Sequence, residues 1–242
     1  MKLSFEKLIS IGLIAVLFVI LVLELNVTLG SPIAFGDEGV HARWAQLIGE
    51  EVQYPVWTPF GGTDLIKDGF YRPPLFNILE GSFIFLLGHH QIILKAITPF
   101  IAFLTGLATY LLVKRLYNHE IAFIASVILV TMQSFISYAV LLYSDMLLTF
   151  YLALFFLTFL IAVKENNRKY MFLSAVFAGL AFLTKHGAIS ALVFLPLAFF
   201  YTIIKERNLY HNLRQYFAFA IIFLLVVSPF LIRNIYYYQT PL

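Results

Sequence analysis

Seven long apolar runs dominate the 242-residue sequence and constrain what it can fold into. The first extends from about Ile9 to Leu29, and six more follow it along the chain. A transmembrane helix needs about 20 predominantly apolar residues, because the hydrocarbon core of a bilayer is about 30 Å thick. The sequence therefore predicts an all-helical, multi-pass integral membrane protein. The later runs lie at about Ile92 to Val113, Ile121 to Leu142, Met146 to Val163, Tyr170 to Thr184, Gly187 to Ile204 and Tyr216 to Ile232.

The composition excludes several classes of protein. Hydrophobic residues make up 61% of the chain and charged residues 12%, against about 25% charged residues in an ordinary soluble domain. The net charge of +3 is spread thinly between apolar runs, so the sequence predicts no nucleic-acid partner. The absence of cysteine excludes disulfides, a thiolate zinc site and a cysteine nucleophile. The sequence has no glycine-rich nucleotide loop, so we expect any activated substrate to arrive through the lipid phase.

An eighth apolar segment, Leu75 to Gly88, decides the topology. As a helix it would reach only about 21 Å, so we expect that it does not cross the bilayer. The basic clusters of later loops then fall on the same side as Lys2 and Lys7, which the positive-inside rule assigns to the cytoplasm. We therefore predict seven spans and a cytoplasmic N-terminus. The charged residues that this topology brings to the outer face include Asp37, Glu38, Arg72, Asp145 and Lys185.

The polar stretch from Ser31 to Pro74 predicts an ordered, functional loop between the first two spans. Acidic residues open a segment at Asp37 whose apolar side chains recur at helical spacing, as in an interfacial helix. A second short helix is expected from Leu75. The fold class is therefore an all-α membrane protein of about seven spans, with two juxtamembrane helices in outer loop 31–91. The predicted apolar stripe of the first helix consists of Val40, Trp44, Leu47 and Ile48.

Charged side chains at membrane depth are costly and are candidates for function. Lys185 follows a predicted span of only about fifteen residues, so we expect a recessed ammonium group that attracts an anion. The alternative is a lysine that snorkels from a helix end, and neighbouring His186 either assists it or merely packs. Arg72 precedes two prolines and can present a bidentate fork to a phosphate. Its alternative is a surface contact with phospholipid head groups.

Acidic residues predict the other half of a site. Asp145 opens a predicted span, and Asp37 and Glu38 open the loop helix, so helix capping is the simpler interpretation of each. Their convergence with Arg72 and Lys185 from separate loops favours a site. A carboxylate can act as a general base, and cations can neutralise a phosphate.

Five short motifs occur in a fixed order along the chain. They are Asp37-Glu38, Arg72-Pro-Pro-Leu, Ser-Asp145-Met-Leu-Leu-Thr-Phe, Phe-Leu-Thr-Lys185 and Ser-Pro-Phe-Leu-Ile-Arg233-Asn. In this order and spacing they resemble the motifs of the GT-C membrane glycosyltransferases. The resemblance is closest to the branch that holds the lipid A aminoarabinose transferases and the protein O-mannosyltransferases.

The resemblance implies a sugar transferase that works on the outer face with a polyprenyl- or dolichyl-phosphate-linked donor. It also implies a seven-span N-terminal module over residues 1–242, with the C-terminal part of the family absent. The family's catalytic aspartate falls on Asp37 with Glu38 beside it, and its second acidic motif falls on Asp145. The donor-phosphate lysine falls on Lys185. The predicted substrate-binding residues are Tyr71, Arg72, Lys185, His186 and Arg233.

We therefore predict a glycosyltransferase of the cell membrane. Transfer of a sugar from a phosphate carrier needs a general base on the acceptor and cations on the leaving phosphate. Their placement on opposite sides of the sugar predicts inversion at the anomeric carbon. The enzyme's partners are the lipid-linked sugar donor, membrane lipid and an acceptor that is a lipid, a glycan or a protein. No cofactor is predicted, although Asp37, Glu38 and His41 leave a metal requirement open. Two alternatives remain: a transporter or flippase for lipid-linked sugars, which needs the cationic pocket but no base, and a non-catalytic membrane subunit.

Overall fold

The computed structural model describes residues 5–33, 36–52, 72–206 and 209–241. Every regular element within these ranges is a helix, which confirms the predicted all-α class. Asparagines cap two of the helices: Asn118 Oδ1 accepts a hydrogen bond from Ile121 N, and Asn167 Oδ1 accepts one from Lys169 N. The helices are α1 Phe5–Leu29, α2 Asp37–Glu51, α3 Leu75–Leu87, α4 Gln91–Leu116, α5 His119–Thr131, α6 Gln133–Ala139, α7 Asp145–Glu165, α8 Arg168–Thr184, a 3₁₀ helix His186–Val193, α9 Phe194–Glu206 and α10 Leu209–Tyr238.

Five helical segments among the described residues are long and apolar enough to cross a membrane. The pair α5 and α6 passes the same test together, but it is bent by 64°. Helix α8, where a span was predicted, has 17 residues and reaches only about 26 Å. The count is therefore five or six, and the predicted seven is not confirmed. The five segments are Phe5–Leu29, Gln91–Leu116, Asp145–Glu165, His186–Ile204 and Leu213–Tyr238.

Helix α3 agrees with the prediction that its segment is too short to cross. Its 13 residues reach about 20 Å, against a hydrocarbon core of about 30 Å. The two polar residues of the helix, Asn77 and Glu80, are both buried. Neither carboxyl oxygen of Glu80 has a hydrogen-bond partner in the part of the chain that the structure describes. Burial raises the pKa of Glu80 well above its ordinary value, so the neutral acid is the buried form.

The described residues form two compact units. Unit 1 comprises Met1–Pro55 and Phe76–Ala153, and unit 2 comprises Val56–Leu75 and Leu154–Leu242. Unit 1 therefore holds the acidic candidates Asp37, Glu38 and Asp145, whereas unit 2 holds the basic candidates. The prediction of one module over residues 1–242 stays a prediction.

A close approach at Gly106 organises the core of unit 1. A Cβ on this residue of α4 would lie 2.7 Å from Leu17 Cδ2 of α1 and 3.1 Å from Val130 Cγ1 of α5. The carbonyl oxygen of Gly106 also accepts a hydrogen bond from Ser126 Oγ of α5, at 3.2 Å. Glycine lets the three helices approach here, as small residues do at helix interfaces in membranes.

Helices α2 and α3 pack against each other at two glycines. A Cβ on Gly49 would lie 2.6 Å from Gly81 O and 2.6 Å from Ile84 Cβ, so the backbones are in near contact. Earlier along both helices, His41 Nδ1 lies 2.6 Å from Asn77 Oδ1. Residues later in α2 pair with residues later in α3, so the two helices run in the same direction. This pairing buries one face of α2 and fixes its first turn.

Helices α8 and α10 pack together in unit 2. A Cβ on Gly179 of α8 would lie 2.6 Å from Val226 Cγ1 of α10, which marks their closest approach. Aromatic rings fill the space beside them, with Phe155 and Phe159 of α7 both within 6.4 Å of the Phe219 ring centroid. The arrangement holds the C-terminal end of α8, and therefore Lys185, on a packed scaffold.

Candidate functional site

The acidic pair at the start of α2 divides into one exposed and one buried side chain. Helix α2 is capped by Gly36, whose φ of 104° favours glycine, so Asp37 is the first helical residue and not the N-cap. Asp37 is exposed, whereas Glu38 is 3% exposed. Glu38 Oε1 accepts a hydrogen bond from Leu142 N at 2.8 Å, across 104 residues of sequence. Glu38 therefore joins α2 to the segment that leads into α7.

That segment also brings Asp145 towards the pair. Tyr143 lies between Leu142 and the start of α7, and its pKa is raised above the ordinary value. Burial is the largest cause, followed by the negative charges of Asp37 and Glu38, with a further contribution from Asp145. The charges of the three predicted acidic residues thus all act on Tyr143, which the sequence did not single out. That the three form one functional site stays a prediction.

A buried lysine is linked through the end of α1 to the segment that precedes α7. Lys95 of α4 is 4% exposed, and its ammonium donates hydrogen bonds to the carbonyl oxygens of Thr28, at 2.7 Å, and of Ser31. Thr28 lies in the last turn of α1, where carbonyl groups lack helical partners, and Ser31 lies two residues beyond the end of the helix. Thr28 Oγ1 in turn donates to Val140 O at 3.1 Å, two residues before Leu142. The end of α1 is therefore tied to both α4 and the Glu38-binding segment.

Neither Lys95 nor Thr28 was among the functional residues predicted from the sequence. The available signal was the position of Lys95 inside a predicted span, since an ionisable residue at membrane depth is a functional candidate with a partner to be found. Its role in the structure is positional, because its ammonium binds backbone carbonyl groups.

We expect Lys95→Met to lower the thermal unfolding temperature of the detergent-purified chain. Removal of the ammonium leaves buried carbonyl oxygens without donors, a cost of about 1–3 kcal/mol. Lys114→Met, at the exposed end of the same helix, is the matched control and should unfold near the wild-type temperature. Equal unfolding temperatures for Lys95→Met and the wild type would show that these hydrogen bonds do not hold the end of α1.

We expect Asp145→Asn to lower the pKa of Tyr143 towards 10. Nearby negative charge disfavours the phenolate, so each carboxylate removed makes ionisation easier. The chain has 14 tyrosines, so the ionisation of Tyr143 is isolated as the ultraviolet titration difference between a variant and the same variant with Tyr143→Phe. Glu51→Gln, at the far end of α2, should leave this difference unchanged. An unchanged pKa in Asp145→Asn would separate Asp145 from the acidic cluster.

His41 takes part in the packing of α2 and α3. Besides its hydrogen bond to Asn77, its ring meets the Phe76 ring edge-on at 5.1 Å between centroids. Among the described residues, no group of three or more His, Asp or Glu side chains could hold a metal ion. The combination of Asp37, Glu38 and His41 that the sequence left open is therefore not assembled as such a group.

Lys185 ends α8 in unit 2. Its backbone N–H donates to Ala181 O at 3.0 Å, and its carbonyl oxygen accepts from Ala188 N at 3.0 Å as the 3₁₀ helix begins. The extended backbone of Lys185 therefore separates two helices, and its side chain is exposed. Its recessed position relative to the membrane surface stays a prediction.

His186 and Arg233 are both held among aromatic rings. The His186 ring lies 5.3 Å from that of Phe182 and 5.8 Å from that of Phe230, measured between centroids. It is half-buried, so packing accounts for these contacts. Arg233 Cζ lies 5.6 Å from the ring centroid of Tyr238, a cation–π distance.

The remaining predicted substrate residues precede α3. Arg72 is exposed and lies three residues before Leu75, the first residue of the helix. Tyr71 lies outside the described residues. The acidic candidates belong to unit 1 and the basic candidates Arg72, Lys185 and Arg233 to unit 2. The meeting of the two sets in one pocket stays a prediction.

A family model covers most of the structure just described. The model for dolichyl-phosphate-mannose-protein mannosyltransferase matches residues 71–232, more than half of the chain. The chain belongs to this family. No curated protein matches it significantly. Membership establishes the coarse function, a multi-pass membrane glycosyltransferase, and with it the predicted general class of enzyme.

The range matched by the family model contains some of the candidate site residues and not others. Arg72, Asp145 and Lys185 fall inside residues 71–232. Asp37 and Glu38 precede the range, so their assignment rests on the sequence motif and on their contacts with the segment before Asp145.

Proposed function

We propose that the protein transfers a sugar from a polyprenyl- or dolichyl-phosphate carrier to an acceptor on the outer membrane face, with inversion at the anomeric carbon. Asp37 acts as the general base that deprotonates the acceptor hydroxyl. Arg72 and Lys185 neutralise the departing lipid phosphate. The observation that carries the proposal is the hydrogen bond from Leu142 N to Glu38 Oε1, which joins the start of α2, with its exposed Asp37, to the segment before Asp145.

The difference between Asp37 and Glu38 supports the assignment of the base. Glu38 is buried and its Oε1 is engaged by Leu142 N. Asp37 is exposed at the N-terminal end of α2, where an acceptor hydroxyl can approach. A general base must reach the proton it removes, so the exposed aspartate suits that role and the buried glutamate suits a positioning role. Asp145 orients the acceptor or a hydroxyl group of the sugar.

The chemistry of the basic residues supports the second half of the proposal. A departing lipid phosphate carries negative charge that grows in the transition state, and fixed cations lower that energy. Lys185 is exposed at a junction held by two backbone hydrogen bonds. Arg72 offers two parallel N–H donors to phosphate oxygens, which a lysine cannot do.

The direct test is transfer by the full chain in proteoliposomes. Dolichyl phosphate mannose is the first donor to use, because the matching family is described by it. We expect release of dolichyl phosphate together with a product whose anomeric configuration, read by NMR, is opposite to that of the donor. A product with the donor's configuration would exclude the single displacement that Asp37 is proposed to assist.

The same assay separates the two alternatives. A flippase would move the intact donor across the bilayer without releasing dolichyl phosphate. A non-catalytic subunit would do neither. The exposed Asp37 at the start of α2 favours the enzyme, since a transporter that binds a phosphate needs no base beside it.

A further inference from the structure

A cavity of about 190 Å³ lies in unit 2, between the first turns of α8 and the adjoining part of α10. Two guanidinium groups, of Arg168 and Arg214, line it together with Gln215. The rest of its lining is apolar and includes Phe172 and Ala218. None of these residues is part of the candidate site described above.

Both arginines carry their positive charge on exposed side chains. Within the described residues, neither Arg168 nor Arg214 has a hydrogen bond or an ion pair. The N-terminal end of α8 adds the positive end of a helix dipole to the same mouth. Nearby Lys164 and Lys169 increase the positive potential, and Glu165 is the acidic residue on this stretch. The cavity mouth therefore favours an anion.

A partly buried hydrogen bond lies beside the cavity. Gln215 is 8% exposed, and its Nε2 donates to Asn166 Oδ1 at 2.6 Å. Asn166 has a φ of 49° at the turn between α7 and α8, so this hydrogen bond ties α10 to that turn. This hydrogen bond and the packing of α8 against α10 thereby fix the relative positions of the backbones that carry the exposed side chains of Arg168 and Arg214.

The apolar part of the cavity lining favours a lipid over a free anion as the ligand. Phe172 is 51% exposed and extends the lining onto the outer surface of α8. A phosphate between two arginines, with apolar surface directly beside it, matches a phospholipid headgroup followed by its acyl chains. The volume suits the phosphate end of the lipid, with the chains lying outside along the helices.

We propose that this cavity binds the phosphate group of an anionic phospholipid of the surrounding membrane. The topology predicted from the sequence puts Arg168 and Arg214 on the cytoplasmic side, where anionic lipids attract basic residues near the membrane surface. The site is thus distinct from the proposed donor site, which opens to the other face.

The test is native mass spectrometry of the full chain in detergent, with dioleoyl phosphatidylglycerol and dioleoyl phosphatidylcholine as probes. We expect tighter binding of the phosphatidylglycerol, and a loss of about fivefold in its affinity for each arginine removed in Arg168→Gln and Arg214→Gln. The matched controls are the single variants Lys164→Gln and Lys169→Gln, each of which removes one positive charge outside the cavity and should lose less affinity. Ala218→Trp fills the apolar part, keeps both arginines and should also weaken binding.

Each contrary result overturns the proposal. Equal binding of the two lipids would remove the role of charge, and an equal loss in the lysine controls would assign binding to general surface charge. Displacement by inorganic phosphate at the lipid's own concentration, with no effect of Ala218→Trp, would indicate a free-phosphate site. Circular dichroism checks folding, and because the arginine and alanine variants act independently, either one decides the question if the other unfolds.

Discussion

Asp37→Asn should lower the rate of sugar transfer by about 10²- to 10⁴-fold, because the acceptor hydroxyl loses its general base. The asparagine keeps the size of the side chain, and Asp37 is exposed at the first position of α2, so the fold should be unaffected. Binding of the lipid-linked donor should persist, since its phosphate is assigned to Arg72 and Lys185. The measurement is the initial rate in proteoliposomes beside retention of radiolabelled donor.

Glu51→Gln is the matched control for that result. It removes one exposed carboxylate from the last residue of the same helix and should transfer sugar at the wild-type rate. Glu38→Gln offers a sharper comparison, because the amide oxygen can still accept the hydrogen bond from Leu142 N and should preserve more activity than Asp37→Asn. Undiminished transfer by Asp37→Asn would remove Asp37 as the base.

Lys185→Gln should lower kcat for transfer by about 10²- to 10³-fold, the usual loss when one charge-stabilising donor to a transition state is removed. Lys185→Arg should recover part of it, because the charge is kept while its geometry changes. The measurement is kcat and KM with the lipid-linked donor. The effect on kcat should exceed that on KM, since the phosphate gains negative charge as the sugar leaves.

Lys169→Gln is the control at the opposite end of α8, where the side chain is also exposed. It should match the wild type in both constants. A change confined to KM in Lys185→Gln would reassign the lysine to ground-state binding of the donor, and no change would exclude it from the site.

Periodicity and charge placement predicted the local structure around the acidic residues. Helix α2 begins at Asp37, where acidic residues precede an apolar stripe, and it ends at Glu51 as expected. Helix α3 begins at Leu75, directly after the two prolines. These boundaries follow from short-range rules of helix formation, which a single sequence carries.

The long-range contacts and the bend between α5 and α6 could not be predicted from the sequence. The contact between Glu38 and Leu142 joins residues from distant helices, and no local pattern encodes it. The predicted span from Ile121 to Leu142 contains neither proline nor glycine, yet Met132 is extended between α5 and α6. Asp145 and Asp37 were grouped by predicted membrane side alone, whereas the hydrogen bond between Leu142 N and Glu38 Oε1 joins the segments that carry them.

The central claim is that the acidic cluster and Lys185 open to the same side of the membrane. The chain has no cysteine, so single substitutions Asp37→Cys, Asp145→Cys and Lys185→Cys can each be labelled with a membrane-impermeant maleimide, with Lys164→Cys as the reference for the opposite side. We predict that the first three react from outside intact cells, and that the reference reacts only after permeabilisation. Labelling of positions 37 and 185 from opposite sides would contradict the account.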